Sequence, residues 1–200
     1  MQRRAPVSEP LGMLEWTSIA QGLLAADAMA KEAEITFLAL RPVTPGRFVA
    51  LFRGSVEAVR RSLGRGAEIG GAFVLDSLFL ALPHPTLLPT LSGQSHPKVT
   101  ASVGIIETSS LCSALLAADG AAKTAVVQLL EMRLAMGLGG KAFFTFTGAQ
   151  SDVESALHAG TQLARERGQY VNAVVLPNPD ARLRDAFMQS TIPFSDFLIA

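Results

Sequence analysis

Two hundred residues, 49% of them hydrophobic and only 17% charged, carry 17 basic and 17 acidic side chains and so no formal net charge. No long run of one sign supplies the basic patch that a phosphate-gripping nucleic-acid binder needs, and no apolar stretch reaches the length of about 18 residues that spans a bilayer. The single cysteine, Cys112, excludes an internal disulfide and fits a reducing compartment; "MQRRAPVSEPLG" lacks the apolar run of a secretory signal, so a cytosolic, soluble chain is expected.

In chain order, "LGMLEWT" is short and apolar, as a buried strand is, and "SIAQGLLAADAMAK" is an Ala- and Leu-rich helix with Ser18 at its head. "EITFLALRPV" and "RFVALFRG" are strands that the "TPG" turn joins into a hairpin. "VEAVRRSLGRGAEIGG" has helical spacing and stops on glycines, and "AFVLDSLFLALPHP" is a last strand closed by prolines. The polar "TLSGQSHPKVT" reads as a linker.

The order then repeats. "SVGIIET" is a strand, "SSLCSALLAADGAAK" a helix, "VVQLLEMRLAM" and "KAFFTFTG" hairpin arms with "GLGG" between them, "SDVESALHAGTQLARERG" a helix and "QYVNAVVLPNP" the final strand. Laid over one another at an offset of 92, residues 11–31 and 103–123 share 10 of 21 positions, among them Gly12/Gly104, Glu15/Glu107, Asp27/Asp119 and Lys31/Lys123. "LPHP" and "LPNP" close the two copies alike. An internal period of this length means two similar units, each a ferredoxin-like β-α-β-β-α-β domain of the α+β class (an α/β sandwich), with a short helical segment after its last strand. The expected domains are residues 10–92 and 100–190, followed by a tail over 191–200; the apolar "STIPFSDFLIA" is expected to dock on its own domain, the alternative being a neighbour or cargo.

The ordered set "G-x-x-E" strand, "AADA-x-x-K" helix, hairpin ending in "RG" and "P-x-P" close resembles the shell-protein (BMC) domain of bacterial microcompartments, twice over and across nearly the whole chain. The resemblance implies a structural, non-enzymatic tandem-domain shell protein. In that family tandem chains form trimers whose six domains imitate a hexamer, lie edge to edge in the facets of the shell, and pass small metabolites through a central pore. Partners implied are other hexameric and pentameric shell proteins and the enclosed enzymes, with neither nucleic acid nor membrane among them. Both copies begin at the "G-x-x-E" strand, so the unpermuted, single-layer type is expected.

By the same resemblance Lys31 and Lys123 occupy the lattice edge, where lysines of adjacent tiles lie antiparallel; the plainer reading is a cation that suits a helix C-terminus. The hairpin turns Thr44-Pro45-Gly46 and Leu138-Gly139-Gly140 align with the pore lining, although Pro-Gly and Gly-Gly also make ordinary tight turns. Pro45 removes a backbone donor where Gly139 and Gly140 keep theirs, so the opening is expected to alternate in polarity. Arg47 and Lys141 flank the turns; near the axis they would set a positive field that draws anions, and at the rim they would be solvated strand ends.

Sharper motifs fail. "GLGGKA" carries alanines, Ala135 and Ala142, where a phosphate loop needs Gly and Ser/Thr, and "GRGAEIGG" has the wrong spacing for a dinucleotide loop. His84, His96 and His158 have no ligand partner at metal spacing. Some tandem shell proteins hold an iron–sulfur cluster on pore-loop cysteines, but neither loop here has one, so no cofactor and no metal are expected. Glu15 and Glu107 read as structural carboxylates inside each domain. The alternative function is a soluble ferredoxin-like regulator or small-molecule binder, which needs a concave pocket with several convergent polar groups.

Overall fold

Residues 9–94, 98–99, 101–135 and 137–188 are described in the computed structural model. The first half runs β1 (Leu11–Trp16), α1 (Ile19–Glu32), β2 (Ile35–Val43), β3 (Arg47–Gly54), α2 (Val56–Gly70) and, after a 3-10 turn at Gly71–Phe73, β4 (Val74–Leu80). α3 (Leu87–Leu91) follows. The second half runs β5 (Ser102–Thr108), α4 (Leu111–Thr124), β6 (Gln128–Leu134), β7 (Ala142–Gly148), α5 (Gln150–Glu166), β8 (Tyr170–Leu176) and α6 (Ala181–Met188). The chain divides into two compact units, one of the residues up to Pro42 with Gly46–Pro85 and one of Val43–Pro45 with the residues from Thr86 onward; α3 lies in the second, where it buries Leu87 and Leu91 against β6 and α4.

Local chemistry accounts for the starts and stops. Ser18 Oγ accepts from the Gln21 N–H at 3.2 Å and Ser110 Oγ from the Ser113 N–H at 3.0 Å, so one orphan donor at the head of α1 and of α4 is satisfied in the same way. Ser55 does this for α2. That helix ends where the sequence turns to glycine, Gly71 taking φ 51° at its C-cap.

The sheet orders are β2-β3-β1-β4 and β6-β7-β5-β8, the interleaved antiparallel arrangement of a ferredoxin-like domain. Matching registers make the two units equivalent residue by residue: Gly12 pairs Phe52 as Gly104 pairs Phe146, and Trp16 pairs Phe48 as Thr108 pairs Ala142. The glycine of the "G-x-x-E" strand is a packing requirement. A Cβ on Gly12 would lie 2.5 Å from the Phe52 ring, and one on Gly104 would lie 2.3 Å from the Phe146 ring. The Phe52 ring joins Leu14, Trp16, Met29, Phe48 and Val59 in the first core, and Phe146 is fully buried with Ile106, Met132, Phe144 and Val153 in the second unit. Each such side chain contributes about 1.5–3 kcal/mol on leaving water.

The expected linker overlaps the end of α3 at Thr90 and Leu91, and its residues 95–97 and 100, His96 included, lie outside the described residues, as does the 191–200 tail.

Candidate functional site

The hairpin turns are equivalent in place and unequal in length. Between Val43 and Arg47 the chain spends three residues, 44–46; between Leu134 and Ala142 it spends seven, 135–141. Counting back from the shared register of β3 and β7, Gly46 answers to Gly140, Pro45 to Gly139 and Thr44 to Leu138, the alignment read from the sequence. Thr44, Pro45 and Gly46 are all exposed, with a cis bond between Thr44 and Pro45, and Gly46 takes φ 83°. In the longer turn Gly137, Gly139 and Gly140 all have positive φ, and Leu138 both donates to Ala135 O and accepts from the Lys141 N–H at 3.2 Å. Such backbone suits residues without a Cβ, and it leaves Leu138 as a half-buried side chain in the turn.

Arg47 and Lys141, one residue after those glycines, are each opposed by a carboxylate. Arg47 Nη1 lies 3.9 Å from Glu15 Oε2, and Lys141 Nζ lies 3.3 Å from Glu107 Oε2. The same two carboxylates that sequence analysis read as structural therefore hold the two turn-flanking cations. Residues Gly104 and Ile106 of β5 face the helices, since Cβ positions on that side meet Phe146 and Gly160 packs against Ile106; strand alternation puts Glu107, and by register Glu15, on the other face.

Lys31 and Lys123 sit in the last turns of α1 and α4 and point back along their own helices. Lys31 Nζ donates to Asp27 Oδ2 at 2.6 Å, and Lys123 Nζ donates to Asp119 Oδ2 at 2.5 Å. The repeated D-x-x-x-K spacing encodes this i,i+4 pair, a signal the sequence reading left unused. The environments differ: the Lys31 side chain is 74% exposed and its acid 59%, against 42% and 6% for Lys123 and Asp119.

The α1 helix carries a feature that pattern reading missed. Ile19, Leu23 and Leu24 are 39%, 52% and 57% exposed, whereas of their counterparts on α4 Leu111 and Leu115 are fully buried and Leu116 is half-buried. Composition gives no warning, because the two helices are nearly the same sentence.

His158 is exposed on α5, His84 is half-buried after β4, and Cys112 is buried on α4. A groove of about 720 Å³ runs between α5 and β8, floored by Leu157 and Val175. Several of its polar groups are engaged sideways: Gln162 donates to Glu166 at 3.0 Å, Glu154 accepts from Gln150 at 2.9 Å, and Arg165 lies 4.3 Å over the Tyr170 ring, while Thr161 Oγ1 is buried with no hydrogen-bond partner. It lacks the convergent polar set of a small-molecule site. Among the described residues no helix is long and apolar enough to cross a membrane.

Residues 10–83 and 102–179 each match the BMC domain. The chain belongs to the BMC-domain family. It is a shell protein of a bacterial microcompartment with two BMC domains in tandem. It is 37% identical over 173 residues to the bacterial microcompartment shell protein PduT of Citrobacter freundii, an alignment covering 86% of this chain and 94% of that one. A solved microcompartment protein from Desulfitobacterium hafniense DCB superposes with TM-score 0.78 at 44% identity, over 88% of this chain and 98% of that one. The fused permuted hexameric shell protein MSM0275 shares the fold, with TM-score 0.59 at 20% identity over 78% and 81% of the two chains. Both BMC domains here start at the "G-x-x-E" strand and keep the unpermuted order.

Proposed function

We propose that three copies of the chain close into a trimer whose six BMC domains form one pseudohexagonal, single-layer tile. The tile joins other shell proteins edge to edge through Lys31 and Lys123, encloses the compartment's enzymes without being an enzyme itself, and passes small metabolites through a central opening. The turns Thr44-Pro45-Gly46 and Leu138-Gly139-Gly140 line that opening. Arg47 and Lys141 flank it.

One observation carries the reading: the same helix face is exposed on α1 at Leu23 and Leu24 and closed at Leu115 on α4. Two equivalent units with one face covered and one bare are what a ring of identical chains leaves at each seam, since a heterologous contact that closes after three steps uses the bare face of every chain once. Exposed apolar area of this kind marks a contact surface.

Native mass spectrometry of the purified chain, with negative-stain imaging of the same sample, tests this. A trimer that grows into flat sheets is expected; a monomer or a closed dimer without sheets overturns the tile.

A further inference from the structure

The charge beside the turns is decided by carboxylates rather than by the two cations. In the first unit Arg47 lies against Glu15, whose side chain is fully buried, and the Arg47 side chain is itself only 22% exposed. Asp76 pairs with Glu15 across β1 and β4 and brings a second carboxylate oxygen within 4.8 Å. In the second unit Lys141 lies against Glu107, and the residue opposite Glu107 on β8 is Asn172, which carries no charge. Each cation therefore faces a carboxylate.

The geometry points to Glu15 and Glu107 as positioning residues that set the ion preference of the opening, by holding Arg47 and Lys141 back along the sheet and cancelling their charge. This rests on the proposal that the turns line the opening. Without the clamps, six cations in a ring of low-dielectric walls would focus a positive field and concentrate anions. With them, the opening does not favour anions. The two clamps differ in burial: in the first the Arg47 side chain is 22% exposed and Glu15 fully buried, while the second is open, with Lys141 52% and Glu107 36% exposed. The second is therefore the one a single substitution releases.

The test is the reversal potential across a sheet of the full-length protein laid over a solid-state aperture, under a potassium chloride gradient. Glu107→Gln, at a partly exposed site that the fold tolerates, is expected to move the chloride-to-potassium permeability ratio up about tenfold, the lower end of what a focused field achieves. Lys141→Gln in the same background should take the gain away. Glu15→Gln alone is expected to do less, because Arg47 is itself only 22% exposed, against 52% for Lys141. Gly139→Trp, which fills the turn, serves as the control for the path. If Gly139→Trp stops the current while Glu107→Gln leaves the ratio unmoved, the clamp is overturned and the opening stands. If Gly139→Trp leaves the current unchanged, ions do not pass beside these turns, and the opening falls and takes the clamp with it.

Discussion

Replacing Leu23 and Leu24 together by Gln should take the trimer apart and leave the chain folded. Both side chains are already more than half exposed, at 52% and 57%, so the fold loses little apolar burial from the change. The trimer loses more. Full burial of a leucine is worth about 1.5–3 kcal/mol, so covering the exposed half of each gives about 1 kcal/mol, or about 2 kcal/mol for the pair at one seam. Three seams close each ring, so the variant forfeits about 6 kcal/mol, a factor on the order of 10⁴ in the monomer–trimer constant. Sedimentation over a dilution series reads this directly as a shift of the midpoint, and circular dichroism confirms that the monomer keeps its helix and strand content. Leu115→Gln is the counter-test: that counterpart is fully buried, and its loss should cost about 2–5 kcal/mol of fold stability. A Leu23/Leu24 variant whose midpoint does not move would refute the assignment of the α1 face to a seam.

Lys31→Ala combined with Lys123→Ala should abolish sheets in negative stain while the trimer mass persists; the exposed Lys31–Asp27 pair is worth about 0.3–0.5 kcal/mol on a helix surface, and losing Lys123 beside the 6% exposed Asp119 costs more. Gly104→Ala pushes a Cβ to 2.3 Å from the Phe146 ring and should destabilise the fold by about 1–3 kcal/mol in a denaturant titration, with Gly12→Ala behaving alike against Phe52. At the head of α6, Arg182 donates through its side chain and then its backbone N–H to Asp180, holding that carboxyl below its ordinary value. A folded-state value that is lowered adds stability above the unfolded pKa of about 3.9 and loses it as pH falls through the folded value; Asp180→Asn should therefore quicken amide exchange in α6 at neutral pH and make no difference in strong acid.

What the sequence made legible follows from what repeats. Strands and helices were readable because Ser18 and Ser110 cap, Gly71 stops α2, and apolar runs are bounded by turn residues, all of which are local effects. The turn alignment was readable because Gly46 and Gly140 precede the same strand register. Two things were not. The partners of Arg47 and Lys141 come from β1 and β5, 32 and 34 residues earlier in the chain, and only the sheet brings them together. The exposure of Leu23 against the burial of Leu115 was invisible too, since two copies of one helix differ there by environment alone.

That difference of environment is also what the doubled gene permits. A ring built from one repeated domain must place the same residue at every position around its axis. With two domains per chain the first can keep a three-residue turn beside the Arg47 and buried Glu15 pair, and the second a seven-residue turn beside an open Glu107–Lys141 pair. Three short turns then alternate with three longer ones in the proposed ring. A change at Glu107 or Lys141 acts on half of the lining while the other half holds the shape, so ion preference is adjustable without moving the packing that Gly12 and Gly104 enforce in both units alike.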